Sequence, residues 1–499
     1  MKKYIIAAIG AFLSLTGCHD FLEPSSPNEF IPKNADALNE MLLGEAYPDG
    51  KTNMFALYDI LDDDVSTSSE DGFSFQPGIT GANATGEVLQ AYYSWNPDVY
   101  EVATTHGIYY GINPWEQYYA CILGTNAALD YIDDMDDPEA AKNEVRGQAY
   151  ALRAFFYFNL VNFYAIPYIY DKNAPGVPLK LVSAVNPQDE KRKSVGEVYA
   201  QIISDLDNAE KAYLGISEDK RFKRNYRVSL PMVYLLRSRV YLHMGEYGKA
   251  AADARKIVED ERFSLYDLRT FSPSPKEPYP EFVTFNNPEV VWAYGAESGR
   301  SLRDIQFTDG PTSPKYRYFL IASPKLRDSY DNNDIRKEYY SLIDRFMIGM
   351  DEPNYRPLGK CRVTDGYERE NRSMAYSMRL SEAYLNLAEA IAESAPSEAL
   401  ELVNQIREKR IKSDSYTKVT GLTGDALLKF IREERRRELC FEGHRWFDLR
   451  RYGMPSFSHE WYQSGERKTT FTIQEKDGRY VLPLHPETLR LNPSLRKTE

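Results

Sequence analysis

Histidine and cysteine are scarce in this 499-residue chain, at six and four. The usual marks of catalysis are missing as well. There is no Gly-x-Ser-x-Gly, no His-Glu-x-x-His and no Gly-x-Gly-x-x-Gly opening a helix, which removes the commonest signatures of serine hydrolases, zinc proteases and dinucleotide enzymes. Gly44–Thr52 (GEAYPDGKT) imitates a phosphate loop, but it has five residues between its glycines, contains Pro48 and follows no strand. The histidines, at 19, 106, 243, 444, 459 and 485, share no metal-ligand spacing, so neither a metal nor a cofactor is expected. Cys121, Cys361 and Cys440 are too dispersed for a disulfide framework or a zinc site, and read as buried thiols. Positive charge is in deficit, with 61 Lys and Arg against 74 Asp and Glu, for a net of -13. That excludes nucleic acid and docking on anionic lipid, both of which reward clustered Lys and Arg. No internal segment approaches the ~20 apolar residues of a membrane span.

The N-terminus is different in kind. Lys2 and Lys3 are followed by an apolar stretch from Tyr4 to Leu15 and then by Leu15-Thr16-Gly17-Cys18. A short apolar run ending in small residues is a secretory signal rather than a span. Leu-Thr-Gly-Cys resembles the bacterial lipobox, which implies removal of residues 1–17 and acylation of Cys18. Without the two lysines the mature body carries -15. Acyl chains, at ~0.8 kcal/mol per buried methylene, would moor it durably to a membrane.

Aromatic residues are abundant, with 38 Tyr, 23 Phe and 5 Trp. Buried tyrosine needs a hydroxyl partner, so most are expected in seams between helices and a minority on a ligand-gripping surface. Helical periodicity dominates the chain. It predicts helices over 35–44, 115–135, 138–164, 195–214, 229–244, 247–260, 376–393 and 397–409, and a long charged helix with a following turn over 424–451. Residues 58–114 and 273–318 read as long irregular segments, the second with a short strand at 289–294, and 471–484 alternates like a strand. Tyr157-Phe-Asn-Leu160, Tyr241-Leu-His-Met244 and Tyr384-Leu-Asn-Leu387 share one pattern. Their unequal spacing indicates degenerate tetratricopeptide-like helical pairs rather than a tandem array. The expected fold is mainly α, an α-α superhelix with large irregular insertions and a few short strands forming a ligand face. Residues 1–17 form the signal, 18–226 an N-terminal region and 227–499 a C-terminal region, joined in one body.

Candidate binding residues lie in the irregular segments. Trp95, in Tyr92-Tyr-Ser-Trp-Asn96, sits where no helical stripe would take it, and either anchors that loop or serves as a ligand platform with Asn96 beside it. Trp292 and Tyr294 alternate along a strand and therefore face one side; Tyr316 and Tyr318 repeat the alternation around Arg317. Trp115 opens a helix and reads as core. Asp62–Asp64 is the densest acidic run, either a solvated loop or a contact for ligand or cation, with Asp63 as the candidate. EF-hand spacing fails, because Thr67 and Phe73 stand where Gly and Glu are required. Arg432–Arg451 interleaves arginine with Glu and Asp, which fits a structural ion-pair network rather than a nucleic-acid helix.

Several long stretches together carry a family likeness: Cys18-His-Asp20-Phe-Leu-Glu23, GQAYALRAFFYFNLVNFYAIPY (147–168), SVGEVYAQIISDL (194–206), ERRRELCFEGHRWFDLRRYG (434–453) and YVLPLHPETLRLNP (480–493). The chain resembles the SusD/RagB family of Bacteroidetes outer-membrane lipoproteins. One departure is Ala165, where the family usually has glycine before Ile-Pro-Tyr. The resemblance implies tetratricopeptide-like pairs, an irregular binding face and no enzymatic activity. It also implies a SusC-like TonB-dependent barrel as partner, over which the protein closes as a lid at the outer membrane, facing the exterior and held by acylated Cys18. Family ligands are oligosaccharides or peptides. Sugar faces stack on exposed rings, which favours an oligosaccharide here, with an oligopeptide as the alternative. A tethered hydrolase and a pure scaffold are the competing classes; turnover of a glycan or peptide would favour the first, and failure to bind any nutrient the second.

Overall fold

The structure is a computed structural model that describes residues 32–48, 54–55, 57–58, 60–67, 82–105, 113–184, 190–272, 282, 284–295, 306–308, 316–318, 320–340, 343–344, 354–355, 374, 376–462 and 468–496. Cys18 lies outside the described residues. Fifteen helices among them are α1 (Ala35–Glu45), α2 (Ala82–Tyr93), α3 (Val99–Thr105), α4 (Pro114–Ile132), α5 (Glu139–Tyr164), α6 (Val195–Leu214), α7 (Leu230–Met244), α8 (Tyr247–Val258), α9 (Pro324–Asp328), α10 (Arg336–Tyr339), α11 (Leu380–Ile391), α12 (Pro396–Glu408), α13 (Gly424–Leu439), α14 (Arg445–Arg451) and α15 (Pro486–Leu491). The fold is mainly α. No helix among the described residues is long and apolar enough to cross a membrane.

α5 is the axis of the molecule. Between Gly147 and Tyr164 all but Tyr150 are buried, because α4 and α6 flank it and α1 and α7 also pack against it. Its buried arginine is satisfied internally: Arg153 meets Asp205 at 2.7 and 2.9 Å and Asn126 at 2.9 Å. α6 begins with a capping box between Ser194 and Glu197. The α7–α8 pair turns at Gly245, whose φ of 74° suits glycine. α11 packs on α8 and α12, and with α13 builds a second hydrophobic cluster. Ala165, the departure noted above, caps α5 with φ -137° and ψ 165°. Any residue adopts that extended backbone, so the turn needs no glycine.

Among the described residues the strands form two-stranded antiparallel ribbons. β1 (Val65–Thr67) pairs with β5 (Leu320–Ala322), β2 (Val290–Tyr294) with β8 (Tyr376–Arg379), and β3 (Gln306–Thr308) with β4 (Tyr316–Tyr318). β6 (Ile343–Asp344) pairs with β7 (Asn354–Tyr355), and β9 (Phe457–Tyr462) with β10 (Lys468–Ile473).

Three expectations are corrected. Residues 58–114 hold two helices, α2 and α3, rather than being irregular throughout. Residues 376–379 form β8, buried at all four positions, and only then does α11 begin. The charged helix over 424–451 is broken at Cys440, where ψ swings to 143°. Phe441 and Gly443 then take φ values of 60° and 76°. A Cβ at Gly443 would overlap the Tyr58 ring, so the turn that follows the break requires glycine there.

Arg432–Arg451 is structural, as its interleaved charges predict. Arg379 of β8 bonds Glu289, Glu438 and Glu442 at 2.7 to 3.0 Å, and Arg410 shares Glu289 and Glu438 at 2.6 to 3.3 Å. Arg336 reaches Glu434 and Glu438 at 2.7 and 3.0 Å. All seven of these ionic side chains are essentially fully buried, so each charge depends on its partners for compensation.

Candidate binding site

The chain turns out of α2 in a way that fixes Trp95. The Asn96 N–H donates to the Ala91 carbonyl and the Trp95 N–H to the Tyr92 carbonyl, at 2.9 and 3.1 Å. That is a Schellman end, whose left-handed position is usually glycine. Here Trp95 occupies it, with φ 53°. A bulky side chain in that region costs about 1–2 kcal/mol, so the surroundings must hold it. They do. The indole N–H donates to the Leu61 carbonyl at 2.9 Å, Phe457 meets the ring edge-on at 5.1 Å, and His459 stacks on one face at 4.2 Å. Tyr93 stacks on the opposite side of His459 at 4.1 Å. The His459 ring nitrogens lie 2.7 Å from the Tyr93 and Asp62 carbonyls. Burial pushes the imidazole pKa down to about 4, the two carbonyls pulling the other way.

Beside Trp95 opens a cavity of about 440 Å³, lined by Tyr92, Trp95, Asn96, Tyr100, Tyr164 and Arg192 and closed across by the 477–496 segment. Tyr92 and Tyr100 meet edge-on at 6.5 Å. Burial raises both phenols, so they stay neutral. The Asn96 Oδ1 accepts from the Asp98 N–H at 2.9 Å, an Asx turn leading into α3. Its side-chain amide N–H₂ has no partner among the described residues. Asp477 accepts from Arg479 in a paired contact at 2.7 to 3.1 Å, and that bond with Arg479 lowers its carboxyl to about 2. Apolar contact comes from Leu57, Leu61, Val481 and Leu482. The arrangement is a half-apolar cleft with aromatic walls and a few fixed polar groups, suited to a ligand with flat apolar faces and hydroxyls.

The other expected site residues fall elsewhere. Trp292 and Tyr294 do face one side and stack at 4.6 Å, but that side is the core: Phe155 of α5 meets both at 5.2 Å. Trp292 is fully buried and its N–H donates to the Tyr226 carbonyl. Neither ring has surface for a ligand, and β2 belongs to the core rather than to an exposed face. Asp63 is occupied by Arg445 at 2.6 and 2.9 Å and by Arg436 at 3.2 Å. Burial alone would raise its carboxyl, but those two guanidiniums outweigh it and hold it well below the usual range. Asp62 and Asp64 are buried beside it, so the acidic run is neither a solvated loop nor an open cation site, and no candidate metal cluster occurs among the described residues. Tyr316 pairs with Thr308 in the β3–β4 ribbon; its side chain lies outside the described residues. Trp115 packs on Tyr119 and Tyr164 in the core. Trp95 and Asn96 are therefore the predicted residues that the fold brings together at a cavity. Tyr100 completes it from the next helix, and Arg192, Asp477 and Arg479 from distant parts of the chain, of which only the 480–493 motif marked the last segment in sequence.

Comparison with known proteins agrees with this architecture. Residues 289–498 match the SusD family, and residues 20–242 match a family described as starch-binding, associating with the outer membrane. A SusD-like protein P2 of Formosa agariphila is 27% identical, over 90% of this chain and 91% of its own length. A SusD-like carbohydrate-binding protein from Bacteroides vulgatus shares the fold at a TM-score of 0.64 and 20% identity, covering 93% of this chain and 98% of that one. A SusD superfamily protein from Bacteroides thetaiotaomicron aligns at 0.65 and 21%, covering 93% and 100%. Matching both halves of the sequence and sharing one helical fold with these proteins, the chain belongs to the SusD/RagB family.

Proposed function

We propose that this protein is a nutrient-binding lipoprotein of the outer membrane. It captures oligosaccharide in the Trp95 cavity and passes it to a SusC-like TonB-dependent barrel, which it covers as a lid. It cuts no bonds itself. Acylated Cys18 tethers it, with the body facing the cell exterior.

One observation carries the reading: a strained tryptophan, held by three neighbours, stands in the wall of an aromatic cavity, and the Asn96 amide next to it has no partner for its N–H₂ among the described residues. Backbone strain of this kind persists where the surroundings over-determine it, and such positions cluster at ligand sites. Sugar rings present C–H faces to aromatic rings and hydroxyls to amides. The starch-binding description of the matched family and the carbohydrate-binding relative support the same ligand class.

Calorimetric titration of a panel of oligosaccharides into wild-type and Trp95→Ala protein tests it. A loss of about tenfold or more in affinity, equivalent to about 1.4 kcal/mol, is expected in the variant. Equal affinity in both would remove Trp95 and its cavity from the binding site.

A further inference from the structure

The charge of the cavity is opposite to that of the chain. Against a net of -13, its lining holds three arginines, Arg192, Arg479 and Arg496, and one carboxylate, Asp477. Asp477 is committed to Arg479. Arg192 is held by carbonyls alone, donating to Gly176 and Tyr164 at 2.6 and 2.5 Å, and neither it nor Arg496 meets a carboxylate among the described residues. Two of the five guanidinium donors of Arg192 are used in these bonds.

A second guanidinium stands behind the same wall. Arg450 is 1% exposed. It donates to the carbonyl of Tyr480 at 2.6 Å and to that of Ala165, each next to a cavity-lining residue, and its Nε has no partner. Buried arginines elsewhere in the described residues, such as Arg153, Arg239, Arg379, Arg410, Arg435 and Arg451, each sit against a carboxylate. Arg450 is the buried exception. Leaving a buried cation without a counter-charge is unfavourable, and burial indeed lowers the pKa of Arg450 to about 10 and that of Arg192 as well. Tyr164, whose carbonyl holds Arg192, also lines the cavity with a buried hydroxyl that makes no full hydrogen bond. Arg192, Arg496 and, behind the wall, Arg450 thus bring positive charge without a carboxylate partner to one apolar-walled cleft, whereas the other fully buried arginines among the described residues are neutralised.

We propose that the cavity takes an acidic oligosaccharide. A carboxylate or sulfate of the sugar lodges against Arg192 and Arg496, and the sugar face rests on the aromatic wall. Arg450 adds positive field from behind without touching the ligand. This rests on the saccharide reading above. It departs from a starch-type ligand, which brings no anion.

The test is titration of wild-type protein with oligogalacturonate, its fully methyl-esterified form, a sulfated galactan oligosaccharide, a malto-oligosaccharide and an acidic peptide, at low and high salt. One of the two anionic sugars is expected to bind about tenfold or more tighter than the ester and the malto-oligosaccharide, and to weaken as salt rises. Which one binds identifies the anion. Arg192→Gln and Arg496→Gln should each lower that affinity several-fold, while Arg192→Lys retains most of it. Arg496 is exposed, so its variant, together with the salt dependence, keeps the test decisive even if Arg192→Gln folds poorly. Equal or tighter binding of the ester or the malto-oligosaccharide overturns the anion assignment and leaves the saccharide reading standing. Binding of the acidic peptide alone, or of nothing in the panel, overturns the saccharide reading and this proposal with it.

Discussion

Two tryptophans in similar sequence surroundings end in opposite roles. Trp95 was legible as a loop ring without a helical stripe, yet its left-handed backbone was not, because the Schellman turn it completes ordinarily announces itself by glycine. That conformation yields a test. Replacing Trp95 by Gly or by Ala removes the same ring contacts, but only Gly relaxes at φ 53°. Trp95→Gly should therefore be the more stable of the two by about 1 kcal/mol in chemical denaturation, the reverse of their usual order within regular structure. Trp292 shows the limit of alternation. Period two tells that Trp292 and Tyr294 share a side, but not which layer covers it, and here α5 does. Trp292→Ala should cost about 3–5 kcal/mol in global stability without a selective loss of ligand affinity in the folded fraction.

At the level of elements, long amphipathic helices were the most readable. Val195–Leu214 matches its prediction at both ends, since a capping box and an apolar stripe speak together. Breaks were not readable where a distant residue bears on them. The turn between α13 and α14 leaves room for Tyr58, far away in sequence, where a Cβ of residue 443 would go. Gly443→Ala should lower the melting temperature by several degrees, with a cost of about 2–4 kcal/mol from overlap and positive φ together. The buried ion pairs joining α13 to β8 and α10 make stability depend on acid. Burial alone would raise Glu434, but Arg336, Arg437 and Arg407 outweigh it and carry it from 4.5 to about 2. A lowered carboxylate stabilises the native state above its unfolded value, and that share is lost as pH falls from 4.5 towards about 2. For Glu434 alone it is of order 3 kcal/mol. Melting temperature should drop steeply across that window. Glu434→Gln should flatten the drop and already be less stable at neutral pH, because it leaves Arg336 and Arg437 short of a counter-charge.

For the whole molecule, one hydrophobic cluster runs from Ala35 to Leu495, so chain segments from both ends converge on the same core and the same cavity. This convergence is why half of the candidate site escaped sequence reading: Arg192, Tyr100 and Asp477 share no local pattern, and become neighbours only once the fold closes. The proposed anchor, by contrast, rests on a purely local signal, Leu15-Thr16-Gly17-Cys18. Cys18→Ala should move the protein out of the membrane fraction of its cells while leaving purified-protein ligand affinity unchanged, as cell fractionation and titration would read.

That a sugar sits in the Trp95 cavity is most directly tested by a crystal structure of the protein with the tightest-binding oligosaccharide from the panel. Sugar density between the Trp95 and Tyr100 wall and the 477–496 segment, with an anionic substituent near Arg192, is the expected result. Density confined to another surface, with the cavity empty of sugar, would contradict it.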